Sequence, residues 1–296
     1  MRQVMKQAAF SEQKSSSPKW QWILIGLGIL IMLLSAALWL NDRRQTAVTP
    51  GADTTEEATD AVNSPANDFV SLALTRAQSG DVEGALEALD VAIASDPDNA
   101  AEAYYYRGLI KAEQGDLGAA LDDMDMGIAA NQHMPELYAA RGTIHASMGR
   151  PATALEDFHK AIQLSPDHAA TYVNRGQAYM NMGNPDLAMD DFNYALELDP
   201  DLVAAYFNRG TLYLERSESE KALADFNAAI DLSPDAPALY FNRAVAYMNM
   251  NEFESAAADL TIYMGMSTDE EGIHQAEALL SSMQDYEANS HLDVDE

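Results

Sequence analysis

Residues 171–200 read TYVNRGQAYMNMGNPDLAMDDFNYALELDP, and this stretch decides the fold. It opens on an aromatic, carries Asn174-Arg175-Gly176, breaks at Gly183-Asn184-Pro185 and closes on Leu198-Asp199-Pro200. Variants of it return every 34 residues: Arg-Gly stands at 107–108, 141–142, 175–176 and 209–210, and Arg243-Ala244 falls on the same count. A fixed period of this size marks a repeat array, in which each unit buries its apolar face on its neighbours.

With the Gly of Arg-Gly numbered 8, six units run from Asp68 to about Thr268. Position 4 is Phe69, Tyr104, Tyr138, Tyr172, Tyr206 and Tyr240. Position 15 is Gly80, Gly115, Gly149, Gly183, Ser217 and Asn251, and position 20 is Ala throughout. Position 24 is Leu89, Met124, Phe158, Phe192, Phe226 and Leu260, and position 27 is small in five units. Positions 4, 8 and 11 share one helical face, and so do 20, 24 and 27. A Gly between the two segments permits the tight turn of a helical hairpin. Small residues at 8, 20 and 27 let the helices approach, aromatics at 4 and 24 fill the remaining space, and Asp-Pro or Ser-Pro at 31–32 ends the second helix.

These columns resemble the tetratricopeptide repeat (TPR) family. Its pattern stands complete in Tyr172, Gly176, Tyr179, Ala188, Phe192, Ala195 and Pro200. The resemblance implies an all-α, right-handed superhelix of six helix pairs whose first helices line a concave groove. The first unit departs at Ala73 and Arg76 and the sixth at Ala244, Asn251 and Tyr263, as terminal units of arrays do.

Outward from the array, residues 269–286 read as a capping helix with Asp269, Glu270 and Glu271 at its N-terminus, and 287–296 as an acidic tail. Upstream, 1–19 are polar and basic, and Trp20–Leu40 are almost unbroken apolar sequence. As a helix this run measures roughly 31 Å, one hydrocarbon core. Trp20, Trp22 and Trp39 mark its ends, where indoles favour the interface. The run exceeds the apolar core of a cleaved signal peptide, although Ser35-Ala36-Ala37 offers the small residues a peptidase needs. The expectation is a retained single-pass anchor. Four Lys/Arg before it favour a cytoplasmic N-terminus with the repeats outside the cytoplasm, while Arg43 and Arg44 pull the other way. Residues 41–66 have no apolar period and read as a flexible acidic tether of roughly 25 Å reach.

The whole chain has 296 residues and a net charge of −30. Residues 1–44 hold six basic against two acidic residues, a net of +4, so the remainder carries −34. A body so acidic repels nucleic-acid phosphates and anionic lipid. There is no Cys, which excludes disulfides, thiolate metal sites and Cys nucleophiles.

Arg at position 7 and Asp at position 23 form paired columns: Arg107 with Asp123, Arg141 with Asp157, Arg175 with Asp191, Arg209 with Asp225 and Arg243 with Asp259. Both positions lie eight residues from the turn, so an antiparallel hairpin brings them together. The first unit has Leu72 and Ala88 there, and this joint absence points to an ion pair within each unit that fixes hairpin register. The other reading is a basic ladder for an acidic ligand. A partly buried Arg without its carboxylate is costly, which favours the ion pair.

At 100° per residue, positions 2, 5, 6, 9, 12 and 13 oppose the packed face of the first helix. The expected binding face is therefore Tyr105 in the second unit; Asn174, Gln177, Met180 and Asn181 in the fourth; Phe207, Asn208 and Thr211 in the fifth; and Phe241, Asn242, Met248 and Asn249 in the sixth. Amides among apolar groups suit an extended peptide, since a carboxamide both donates to and accepts from backbone. The column Asn174, Asn208, Asn242 resembles the asparagine ladder of superhelical TPR proteins. The basic clamp of chaperone-tail TPR domains is missing: position 5 is Tyr105, Ala139, Val173, Phe207 and Phe241.

No phosphate loop, zinc motif or nucleophile elbow occurs, and no cofactor or metal is expected. His145 and His159 share the third unit, where position 11 is a core column, so His145 reads as an interior side chain. The sequence thus describes a non-catalytic, membrane-anchored adaptor holding a peptide or partner segment, with assembly of an envelope complex as one setting. The alternatives are a cytosol-facing receptor of the import type, and an enzyme or regulatory subunit acting on a tethered substrate.

Overall fold

Each repeat folds as two antiparallel helices because its apolar residues recur at helical spacing on both sides of one residue that adopts positive φ. In the computed structural model, residues 65–290 are described, with side chains from 67 to 284. The basic segment, the apolar run at 20–40, most of the tether and the last six residues lie outside the described residues. Among the described residues no helix is long and apolar enough to cross a membrane, and no strand is present.

The chain divides into two units, residues 1–164 and 165–296. The first contains α1 (Pro65–Gln78), α2 (Val82–Ser95), α3 (Ala101–Glu113), α4 (Leu117–Ala130), α5 (Pro135–Ser147) and α6 (Pro151–Leu164), with a 3-10 turn at Pro97–Asn99. The second contains α7 (Ala169–Asn181), α8 (Pro185–Leu198), α9 (Val203–Glu215), α10 (Ser219–Leu232), α11 (Pro237–Met250), α12 (Phe253–Met266) and α13 (Glu270–Ser290). Helices pair as consecutive hairpins, and within each unit every hairpin packs on the next. α1 begins inside the stretch read as tether, and α13 runs four residues beyond the expected end of the cap.

The hairpin turn has one backbone solution in all six repeats. Position 15 adopts positive φ, at 73° in Gly183 and 83° in Gly80. Gly183 N–H donates to the Met180 carbonyl and Asn184 N–H to the Tyr179 carbonyl, both at 2.9 Å, which satisfies carbonyls left over at the end of α7. Ser217 and Asn251 hold the same conformation at φ 60° and 63° without being glycine. The second helices start on Asp81 and Asp116, whose carboxylates accept from Gly84 N–H at 2.9 Å and Ala119 N–H at 3.1 Å, or on Pro185 at the first helical position.

Close approach is built into position 8. A Cβ on Gly176 would stand 2.6 Å from Phe192 Cε1, so only glycine lets α7 lie against that ring. The alanines at position 20 and the large residues at 24 are fully buried. Tyr138, Tyr172 and Tyr240 at position 4 donate their hydroxyls to the carbonyls of Gln132, Pro166 and Pro234, tying the start of each hairpin to the loop before it. In the sixth repeat Tyr263 replaces the small residue of position 27. Its ring meets Phe241 edge-on at 5.1 Å, and its hydroxyl lies over Gly272 of α13. Ala276 and Met283 of α13 close that end of the core.

Candidate functional site

In the second unit the first helices α7, α9 and α11 lie side by side, so residues at equal positions form rows across them. The second helices carry exposed acids on their outer surface, such as Asp190 of α8, Glu220 of α10 and Glu254 of α12. The opposite face of the first helices carries amides, methionines and phenylalanines, with Glu215 as its one carboxylate. Gln177, Met180, Phe207, Asn208, Thr211, Phe241, Met248 and Asn249 are half-buried there, as is Asn174, and Asn181 is exposed.

These side chains differ in what they leave available. Gln177 Nε2 reaches Asn181 Oδ1 at 3.4 Å, a long contact that couples two amides one turn apart. Thr211 returns its hydroxyl to the Phe207 carbonyl at 2.9 Å. Phe207 leans on Phe226 with ring centroids 6.3 Å apart, and Phe241 on Tyr263, so both rings pack with one side and offer the other. The asparagine column is uneven. Asn242 is only 6% exposed, and its Nδ2 donates to the Ala238 carbonyl at 2.9 Å. A short amide four residues after a carbonyl can close this local bond, which withdraws Asn242 from the row. Asn208 makes no such bond to its own helix.

Tyr105 also departs from the expected face. It is 4% exposed and belongs to the core cluster of the first unit, edge-on to Tyr106 at 5.1 Å. Burial, with Tyr106 and Glu136 nearby, raises its phenol pKa. It is a packing residue, and its hydroxyl does not belong to a solvent-facing row.

Both units carry the paired arginines and aspartates. Arg175 Nε lies 2.9 Å from Asp191 Oδ2 and Nη2 lies 2.7 Å from Oδ1. Arg107 with Asp123, Arg141 with Asp157, Arg209 with Asp225 and Arg243 with Asp259 repeat the arrangement, with shortest contacts of 2.6–2.7 Å. The five aspartates are buried and the arginines half-buried. Each guanidinium also lies over the tyrosine one turn earlier, at 5.3 Å for Tyr172 and 5.7 Å for Tyr206. The hydrogen bonds to Asp123 and Asp157 raise the pKa of Arg107 and Arg141. For Arg175 burial acts downward, and the hydrogen bond and charge of Asp191 outweigh it.

A third contact lies outside the paired columns. In four of these arginines the remaining nitrogen, Nη1, bonds position 25 of the preceding repeat: Asp90 at 2.6 Å, Asp125 at 2.6 Å, Asn193 at 2.8 Å and Asn227 at 2.7 Å. These arginines therefore join hairpins as well as closing them. The sequence does carry a signal, because position 25 is Asp, Asp, His, Asn and Asn in the first five units. Lys111 adds a second cation to Asp123 at 2.7 Å, and Arg216 reaches back to Asp186 at 2.6 Å.

Helical hairpins of this length, closed by a positive-φ residue and packed through small residues at fixed positions, define an all-α repeat protein. Five family models, each described as a tetratricopeptide or TPR repeat, match residues 70–135, 142–183, 169–202, 192–224 and 210–281. Together they span most of the described chain, which belongs to the tetratricopeptide-repeat family. No curated protein matches it in sequence. Among solved structures it is similar to PilW, a type IV pilus biogenesis factor, at 16% identity and a TM-score of 0.65, over 72% of this chain and 98% of that one. It is similar to PilF of Pseudomonas aeruginosa at 16% identity and 0.64, over 72% and 96%. Cut9, in its hetero-tetramer with Hcn1, matches at 18% and 0.67, over 76% of this chain and 44% of that one. At such identities the likeness is one of fold.

Proposed function

We propose that this chain is a non-catalytic adaptor that holds an extended, largely uncharged peptide segment along α7, α9 and α11. The observation that carries the reading is the contrast between the two sides of the second unit. Its second helices are strongly acidic, whereas the facing rows of Gln177, Met180, Asn181, Phe207, Asn208, Phe241, Met248 and Asn249 are almost free of charge. A surface selected only for solubility would carry the same acids on both sides. Amides such as Asn208 satisfy peptide backbone groups, and the half-packed phenylalanines and methionines supply apolar area.

The apolar run at 20–40 and its flanking charges support a membrane anchor, with the repeats outside the cytoplasm. Proteolysis of intact cells tests topology: repeats that resist external protease while the envelope is permeable to it would reverse the assignment.

The binding face is tested by replacing Gln177 with Glu and Asn208 with Asp. Both changes keep shape and add charge where none stands. Circular dichroism establishes that the double variant remains folded. Crosslinking from its own cells then compares its partners with those of the wild type and of an Asp190→Asn control on the outer face. Loss of partners in the inner variant alone is expected. An identical partner set for all three proteins would overturn the reading.

A further inference from the structure

In the five repeats that carry an arginine–aspartate pair, position 11 of the first helix lies near that pair, and these repeats serve as one another's controls. In α3 the position is Lys111, whose Nζ stands 2.7 Å from Asp123 Oδ2. In α7 and α11 it is Tyr179 and Tyr247, whose rings lie 5.9 Å from the guanidinium carbons of Arg175 and Arg243. In α5 it is His145. Its Nδ1 is buried and has no hydrogen-bond partner.

The charged groups around this ring come from its own helix, from the hairpin turn and from α6 and α4. Arg141 precedes it by one turn on α5, Asp157 faces it from α6, Arg150 stands in the hairpin turn, and Asp125 belongs to α4. The two carboxylates are already engaged. Asp157 accepts from Arg141 Nε at 3.0 Å and Nη2 at 2.7 Å, and Asp125 accepts from Arg141 Nη1 at 2.6 Å. A neutral imidazole carrying its proton on Nε2 leaves Nδ1 as a bare acceptor. A second proton on Nδ1 creates a buried N–H without an acceptor, on a cation next to a guanidinium. Burial lowers the pKa of His145; Arg141 and Arg150 act in the same direction, and Asp157 and Asp125 oppose them.

We propose that His145 makes the third hairpin acid-sensitive: the site accommodates only the neutral ring, and protonation loosens the Arg141 pin that ties α5 to α6 and to α4. The other repeats lack this device, since Lys111 is already a cation paired with its aspartate and the tyrosines hold no charge near neutral pH. A histidine whose folded pKa is depressed costs nothing above its unfolded value of about 6.5. Its contribution to stability is then lost as pH falls through that value towards the folded one.

The test has two arms. In a carbon-detected titration with sequence-specific assignment, the His145 ring in the folded protein should titrate at a lower pH than the same ring in the urea-unfolded chain. In urea denaturation at pH 7.5 and pH 5.0, the wild type should lose more of its midpoint on acidification than His145→Tyr, which installs the residue of the fourth to sixth repeats. An equal or higher midpoint for the folded ring overturns the proposal, and so does a parallel pH dependence of the two proteins. A wild type that gains stability in acid relative to His145→Tyr also overturns it, because the ring would then have turned onto Asp157 as Lys111 does onto Asp123. The titration arm stands even if the variant fails to fold.

Discussion

Removing Asp191 tests whether the buried ladder stabilises the hairpins. Asp191 is 5% exposed and receives two hydrogen bonds from Arg175, at 2.9 and 2.7 Å. Breaking a fully buried ion pair by deleting one partner costs about 3–5 kcal/mol, since the other charge stays buried and uncompensated. Here the Arg175 side chain keeps 18% of its surface in water. It also retains the faces of Tyr172 and Tyr179, at 5.3 and 5.9 Å, each worth roughly 0.5–1 kcal/mol. Solvent screening and these contacts reduce the expected cost of Asp191→Ala to about 2–3 kcal/mol. The assay is urea unfolding followed by far-ultraviolet circular dichroism. Hydrogen exchange of α7 and α8 amides localises the effect, because repeat arrays need not unfold in one step. Asp190→Ala, one residue away and exposed, should change stability by less than about 0.5 kcal/mol. The double variant Arg175→Met/Asp191→Ala should be less damaged than Asp191→Ala alone, because no orphaned charge remains. Equal midpoints for Asp191→Ala and Asp190→Ala, or a double variant as costly as the sum of its parts, would refute this account of the ladder.

Three further outcomes follow from the geometry. Gly272→Ala would drive a Cβ into the Tyr263 hydroxyl, so the variant should lose about 1–3 kcal/mol; thermal melts should show Tyr263→Phe relieving part of that loss. Ser217→Gly should stabilise by roughly 0.5–1 kcal/mol, because relief of the αL conformation exceeds the added chain entropy of glycine; a lower urea midpoint would contradict it. Tyr105 and Tyr263 are held neutral chiefly by burial, which raises their pKa. Their contribution is complete below the unfolded value of about 10 and is lost as pH rises beyond it. An alkaline titration at 295 nm should therefore show a late phase that coincides with loss of helical signal.

Much of the hairpin was legible because the sequence states its geometry six times, once in each repeat. The column Gly80 to Gly183 marks the turn, and Phe192 opposite Gly176 marks a close helix crossing, since a Cβ on Gly176 would meet that ring. The equal offsets of Arg175 and Asp191 from Gly183 place them together across the hairpin. What the columns omit is depth. A helical wheel gives the direction of Asn242 and Tyr105 but not how far neighbouring helices overlap them. Asn242 is covered and turns to its own helix, while Tyr105 joins the core. The third nitrogen of four of the arginines escaped for a related reason. Its partner belongs to another repeat, and the offset between repeats depends on stacking, which no single repeat encodes. Ser217 and Asn251 show the converse: the turn keeps its backbone when the glycine that announces it is gone.

The bonds from Arg107 to Asp90 and from Arg141 to Asp125 bear on how such a chain can change length. Asp90 and Asp125 occupy the same place in successive hairpins, and Arg107 and Arg141 likewise. Excising residues 103–136, one period of the array, would bring Arg141 to the spacing from Asp90 that Arg107 now has, so the new junction would inherit a matched donor and acceptor. An extra copy of the same period would be matched as well. The second hairpin is in this sense a modular part, and the array can gain or lose it without creating an unmatched arginine at the seam.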